Sequence, residues 1–312
     1  MPDETRRVSS RVTVLGPQRR PTLDRVVRSL GVEGPYATVT AGWQEREADD
    51  GELDALLGGR SVNLGLHARW LDVVERDREY AVAELEHRAV LEELQQLYSV
   101  QLESALGAVR TLGERVGDRP RAKAAALADA EAVVRVVDGH HLARVREAHR
   151  SFYAAWRLEE REVIVEHREA LRRILQQSAA LVVAGGHVGV LVQLLHLFHV
   201  APHLPATVVA WSAGAMALTD RVVLYHDRAA QGAPHDEVYD QGLGLVPGAV
   251  LLPHARRRLR TDDALRMAVL ARRFAPARCV VLDDGVRVDL TDDGALPAGA
   301  RVVGTDGHVV AL

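Results

Sequence analysis

The sequence predicts an α/β protein: a mostly parallel sheet sandwiched by helices and interrupted by a long α-helical insertion. Three observations predict it. Short valine-rich runs recur towards both ends of the chain, and several are continuous rather than alternating, as strands covered on both faces require. Helical stretches opened by proline or closed by glycine stand between the early runs. Between Arg76 and Gln177 no strand-like run occurs, and apolar residues recur at the helical period.

Residues 1–75 open on a polar stretch and then VTVL, Val12–Leu15, as a first strand. PTLDRVVRSLG follows as a helix that begins on proline and ends on glycine. YATVTAGW, Tyr36–Trp43, places β-branched residues on alternate positions and reads as a second strand. ELDALLGG closes a short helix on paired glycines. In EYAVAELEHRAVLEELQQLYSVQLESALGAVRTL, the residues Leu85, Leu91, Leu94, Tyr98, Leu102, Leu106, Val109 and Leu112 keep amphipathic helical spacing. GDRP, Gly117–Pro120, breaks the pattern, and AKAAALADAEAVVRVV and HLARVREAHRSFYAAWRLEEREVIVEHREALRRIL resume it. Residues 76–177 are therefore expected to form two or three long antiparallel helices, a bundle or coiled-coil arm. Such helices must bury their stripes against each other or against a second subunit.

From Ser178 the β-type runs return: ALVVAGG, ATVVAWSAG, RVVLYHD, AVLLPH, CVVLDDG, VRVDL, ARVVGTDG and HVVAL. The first four are continuous, the pattern of doubly covered strands. The last four are short and joined by DDG and TDG, which predicts antiparallel edge hairpins, with Cys279 in an edge strand. Residues 1–75 and 178–312 thus make one discontinuous α/β domain around the helical insertion of 76–177.

Composition excludes several classes. The 312 residues carry 39 Lys+Arg against 43 Asp+Glu, a formal charge of −4, without the basic excess of a dedicated nucleic-acid binder. At 47% hydrophobic and 26% charged, the chain is not disordered. Cys279, the single cysteine, can form neither an internal disulfide nor a cysteine zinc site. MPDETRRVSSRV lacks the apolar core of a secretion signal, and no apolar run approaches the roughly 20 residues of a membrane span. A soluble, cytoplasmic protein without a membrane partner is expected.

The sharpest motif is AWSAGAMALTD, Ala210–Asp220, directly after the apolar run ATVVA. Strand, tight turn and helix in that order are what a nucleophile elbow needs. Ser212 would sit on the strained turn at the carboxyl end of the sheet. Small residues at Ala210, Ala213 and Gly214 would let strand and helix approach closely. The helix N-terminus and the Ala213 N–H would stabilise an oxyanion. The competing reading is an ordinary strand-to-helix turn in which Ser212 caps the helix. LVVAGGHVG places Gly185-Gly186 after another strand, where free N–H groups could complete an oxyanion hole. A dinucleotide loop fits worse, since the spacing is not G-x-G-x-x-G. AVLLPH puts His254, and VVLYHD puts Asp227, just past two further strand ends. Ligands gather at the carboxyl ends of strands in such sheets, so Ser212, Asp227 and His254 can converge.

AWSAGAMALTD, preceded by VVAGGHVGVLVQLL and followed by GLGLVPGAVLLPHARRRL, resembles the peptidase E and cyanophycinase family of serine peptidases. The resemblance covers residues 178–312 well and 11–45 weakly. It implies the flavodoxin-like fold of the class I glutamine amidotransferases, with serine where those enzymes use cysteine. It also implies that Ser212 is the nucleophile and His254 its general base, with oxyanion donors on Gly185 or Gly186 and on Ala213. Asp227 lies in the register of the peptidase E aspartate, with Asp220 and Asp236 as alternatives. CVVLDDGVRVDL looks like the strand pair that follows the histidine in cyanophycinase-like members. Three departures stand out: Ala210 replaces a leading glycine, His187 stands where Asn or Asp is usual near the substrate, and the helical insertion is extra.

The chemistry this implies is proton transfer from Ser212 to His254, attack on an amide carbonyl, and an acyl-enzyme released by water. The substrate expected by resemblance is a small peptide or isopeptide containing aspartyl residues. Arg257, within the run Arg256–Arg258, could take a substrate carboxylate, or could simply belong to a solvated helix face. No cofactor or metal is expected. Glu84-x-x-His87 has the spacing of half a di-metal site, but no second copy exists, and Glu147 and His149 do not share a helix face. The other class of reading is an interaction or assembly protein that dimerises through its helical arm and has altered or lost activity.

Overall fold

The computed structural model describes residues 10–116, 119–225 and 235–312. The first elements are β1 (Arg11–Leu15), α1 (Leu23–Ser29), β2 (Tyr36–Val39), α2 (Gly51–Leu56) and β3 (Ser61–Asn63). Four helices follow: α3 (Leu66–Arg76), α4 (Arg78–Glu114), α5 (Pro120–Trp156) and α6 (Glu162–Gln177). The chain then alternates through β4 (Ala180–Val183), α7 (Val188–Leu197), β5 (Thr207–Trp211), α8 (Ala213–Ala217), β6 (Val222–Leu224) and β7 (Glu237–Asp240). It ends with β8 (Ala249–Pro253), α9 (Ala255–Arg258), α10 (Ala264–Phe274), β9 (Arg278–Leu282), β10 (Arg287–Asp289), β11 (Arg301–Val303) and β12 (Val309–Ala311).

The main sheet has the order β10-β1-β5-β4-β2-β3, parallel except for β10. Its valine runs are continuous because both faces are covered. Leu15, Val182 and Val209 pack on one side with Leu23, Val26 and Val27 of α1 and Leu53 of α2. Val14, Val183 and Ala210 belong to the larger core on the other side, with Leu191 and Leu194 of α7. Alternate residues of β1, β2, β4 and β5 thus enter different cores.

Three details differ from the sequence expectation. The run RVVLYHD is not a strand of a covered sheet: its β6 pairs antiparallel with β7 in a separate two-stranded ribbon. CVVLDDG and VRVDL do not pair as a hairpin either. β9 runs parallel to β8 and lies between β8 and β11, so Cys279 is interior and buried. β10 instead crosses to β1, held by Gly16 N–H on the Val286 oxygen and Leu290 N–H on the Val12 oxygen. Only β11 and β12, joined through TDG, form the expected antiparallel pair.

α4 and α5 have 37 residues each, about 55 Å long at the helical rise. They run antiparallel, with His87 against His149 and Tyr98 against Asp138. Leu85 of the predicted stripe is exposed, and Ala83 and Glu84 are buried in its stead. The pair is fastened to the rest of the molecule by a buried cluster. Arg273 of α10 donates to both carboxylate oxygens of Asp138 at 2.7 and 2.8 Å, and to the Asp236 carbonyl at 2.6 Å. Tyr98 donates to Asp138 and accepts from the N–H of Val238 in β7.

Candidate active site

β5 ends at Trp211 and α8 starts at Ala213, so the entire turn between them is Ser212. Its φ of 52° and ψ of −122° are strained values for a residue with a side chain. Two main-chain bonds hold it there: Ser212 N–H donates to the Leu15 oxygen, and Met216 N–H donates to the Ser212 oxygen, both at 3.1 Å. Gly214 permits the close approach, since a Cβ there would lie 2.5 Å from the carbonyl oxygens of Val183 and Ala184.

His254 follows the last residue of β8 in the same manner, with φ 57° and ψ 32°. Its N–H donates to the Leu282 oxygen at 3.1 Å. Its Nε2 lies 3.4 Å from Ser212 Oγ. That is the loose end of hydrogen-bonding range, common where a catalytic bond tightens only around substrate. Burial holds the imidazole below its ordinary pKa, aided by the cation of Arg258, while Asp284 pulls weakly the other way. A neutral ring next to the hydroxyl is the state a general base needs.

Gly185-Gly186 follows β4 beside this pair. A Cβ at Gly185 would fall 3.1 Å from Ser212 Cβ, so the loop runs directly against the turn. Gly186 adopts φ 131°, and a Cβ there would strike the Gly42 oxygen at 2.3 Å. His187 N–H donates to that same oxygen at 2.8 Å, which pins the loop. Among the described residues, no main-chain carbonyl accepts from the N–H of Gly185 or Gly186. Ala213, as the first residue of α8, has no intrahelical acceptor for its N–H. Gly185, Gly186 and Ala213 thus each carry an N–H without a main-chain acceptor among the described residues.

The remaining candidates are placed as follows. His187 is exposed and caps α7, its Nδ1 accepting from Val190 N–H at 3.2 Å. Arg257 is exposed on the short α9, its N–H on the His254 oxygen. Asp227 lies outside the described residues. The Asp220 carboxylate accepts from Gly248 N–H at 3.0 Å, and the Asp236 carboxylate lies 4.0 Å from Arg266. These are contacts with the turn before β8 and with α10, not with His254.

Two acids at the end of β9 were missed. Asp283 accepts from Arg256 N–H through Oδ1 at 3.1 Å, and Asp284 is the strongest opposing charge on His254. The DDG triplet was their signal, but it reads as a hairpin turn until β9 is known to lie parallel beside β8. Glu84 and His87 do not form half of a metal site. Glu84 is held by Trp70 Nε1, Arg88 and Gln193, while His87 bonds to His149. Among the described residues, no group of three or more His, Cys, Asp or Glu is arranged to hold a metal ion. No helix among them is long and apolar enough to cross a membrane.

No curated protein matches the chain. A solved structure, the crystal structure of a peptidase from an acI-B1 Actinobacterium, is similar at 12% identity and a TM-score of 0.44. That match covers 97% of this chain and 93% of that one. The family model for Peptidase family S51 matches residues 130–296, more than half of the chain and a span that includes Ser212 and His254. The chain belongs to peptidase family S51, a family of serine-type peptidases.

Proposed function

We propose that this protein hydrolyses an amide bond of a small peptide or isopeptide through an acyl-enzyme on Ser212. The observation that carries the reading is Ser212 Oγ on a strained turn, 3.4 Å from His254 Nε2. His254 takes the hydroxyl proton as the oxygen attacks the carbonyl carbon, and returns it to the departing amine. The N–H groups of Gly185 or Gly186 and of Ala213 hold the oxyanion. Water, deprotonated by the same imidazole, then cleaves the ester. Asp227 is the acid that the family resemblance assigns to His254; among described residues, Asp284 and Asp283 supply the negative charge that favours its protonated form. His187 and Arg257 flank the site as substrate contacts. We also assign residues 1–75 and 178–312 to one catalytic domain, with 76–177 as an insertion through which two copies could associate.

The test is labelling of the full chain with a fluorophosphonate serine probe. The parent protein is expected to label, Ser212→Ala to remain unlabelled, and His254→Ala to label far more slowly. Labelling that persists in Ser212→Ala, or never appears in the parent, counts against the assignment.

A further inference from the structure

The α4–α5 pair has two sides. Its inner side faces α7 and β7 across a cavity of about 410 Å³ that Glu84 and Asp240 line. Its outer side carries a second stripe of side chains. Glu86, Val90, Glu93, Leu97 and Val100 recur along α4 at alternating steps of four and three, and all five are exposed. Val133, Val136, His140 and Ala143 follow the same steps on α5 and are exposed too. Val90, Leu97, Val100, Val133 and Val136 are between 47% and 67% exposed. Apolar side chains at heptad spacing are what one helix presents to another, and a bare patch of them marks a contact surface.

We propose that a second copy of this chain covers this outer face, with α4 of each copy lying antiparallel on α5 of the other in a four-helix bundle. The two-fold axis then runs parallel to the helices, and each copy offers the same patch to its partner. The proposal rests on the part of the functional reading that gives residues 76–177 to association, and not on the peptidase chemistry.

The charge pattern selects both the occupant and its orientation. From 82 to 109 the exposed charges of α4 are Glu86, Glu92, Glu93 and Glu103, all acidic. From 130 to 150 those of α5 are Arg135, Arg144, Arg146 and Arg150 against Glu147 alone. Arg150 pairs with Glu147 on its own helix, an exposed contact that contributes little. The signs are thus segregated by helix, and the face is complementary to itself when α4 meets α5. A two-fold axis across the helices would lay α4 on α4, acid against acid. The register agrees. His87 and Tyr98 meet His149 and Asp138, so eleven residues up α4 match eleven down α5. Glu86 is therefore level with Arg150, Val100 with Val136, and Glu93 stands one residue from level with Arg144. A partner turned about the axis parallel to the helices keeps those levels, which brings Glu86 and Glu93 of one copy to Arg150 and Arg144 of the other.

The area suffices. Two helices side by side, about 55 Å long and about 20 Å across, present roughly 1,000 Å² of face per copy. Roughly 2,000 Å² is then buried in total, the upper end of a standard stable interface. The apolar residues take its centre, and the acidic and basic ones fix its register. The helical insertion thereby acquires a role on its outer side as well as its inner one.

The experiment is sedimentation equilibrium of the full chain at micromolar concentration and low salt. The parent is expected at twice its 34.1 kDa. Leu97→Glu with Val136→Glu should weaken the dimer by about tenfold or more, because charge then enters the centre of an apolar contact. Glu86→Arg with Glu93→Arg should weaken it several-fold, and adding Arg144→Glu with Arg150→Glu should restore it. All these positions are exposed, so the folded copy tolerates each substitution, and recovery in the exchanged chain excludes damage to the fold. A parent that stays monomeric overturns the proposal and leaves the face to a different protein. A dimer indifferent to Leu97→Glu with Val136→Glu, or one that the charge exchange does not restore, overturns the α4-on-α5 arrangement. Serine-probe labelling of the same samples separates the two readings: a monomeric parent that labels keeps the peptidase and loses the dimer, and a dimeric parent that never labels does the reverse.

Discussion

Ser212 and His254 meet at 3.4 Å from the ends of strands that belong to two different sheets, and both hold a positive φ. Each is the first residue after its strand, β5 for the serine and β8 for the histidine. The left-handed step at each lifts the side chain off the strand axis into the space beyond the carboxyl ends. Approach of the two groups therefore depends on how the sheets are set against each other, which is where β10 crossing to β1 matters.

The strain at Ser212 should be measurable. Glycine takes φ 52° without cost, so Ser212→Gly is expected to stabilise the protein by about 1–3 kcal/mol. Hydrolysis should fall at the same time by on the order of 10³–10⁶. Urea unfolding and single-turnover assays of the same preparation check both halves. A destabilised Ser212→Gly would mean that the turn is relaxed and the elbow geometry unremarkable.

Gly214→Ala should behave in the opposite sense to its helix propensity. In an open helix alanine would gain about 1 kcal/mol over glycine. Here the new Cβ would lie 2.5 Å from two carbonyl oxygens, those of Val183 and Ala184. Net destabilisation of about 1–3 kcal/mol is expected from the overpacking, with serine-probe labelling reduced because α8 shifts from β4. The denaturation midpoint decides the sign.

Proton linkage gives two pH signatures. His254 works as a base only when neutral, and its pKa is depressed below the ordinary 6.5 by burial and Arg258. The acid limb of kcat/KM should therefore have its midpoint below 6.5, with activity rising as pH increases through it. His87 is depressed from 6.5 to about 4. Between those values the unfolded chain binds a proton there that the folded chain refuses, so stability falls as pH drops from about 6.5 to 4 and is unaffected above. His87→Gln should flatten part of that slope in equilibrium unfolding. An unchanged slope would place the titration elsewhere.

The ion pair of Arg273 with Asp138 is almost wholly out of water, at 3% and 4% side-chain exposure. Asp138→Ala strands a buried guanidinium and should cost about 3–5 kcal/mol. Arg273→Met combined with Asp138→Leu should recover much of that loss, because neither charge is then left alone. Hydrogen exchange would add a finer readout: amides of β7, which bonds to Tyr98 through Val238 and directly follows Asp236, whose carbonyl accepts from Arg273, should lose protection in the single variant.

Local chemistry made much of the site legible in advance. A serine between a valine run and a small-residue helix has few other uses for AWSAG, and paired glycines after a strand advertise free N–H groups. The acids resisted such reading. DDG at Asp283 and Asp284 has the signature of a turn, and a turn is what it forms; its nearness to His254 comes from β9 lying parallel beside β8. RVVLYHD and AVLLPH look alike as apolar runs, yet one forms a ribbon with β7 and the other a strand of a second sheet.

By itself the sequence determined the α/β alternation, the long helices, the strand-turn-helix at Ser212 and the strand end at His254. Those features follow from hydrophobic period, turn residues and steric size, all of which act between near neighbours. Only the tertiary structure decided which strands pair, which acids face His254, and that α4 closes a pocket next to the Gly185-Gly186 loop. Glu84 and Asp240 stand 156 positions apart in the chain, and nothing in the spacing of either announces the other. Their shared cavity exists because Arg273, Asp138 and Tyr98 clamp the helical pair onto β7, a contact set by packing and charge over long separations.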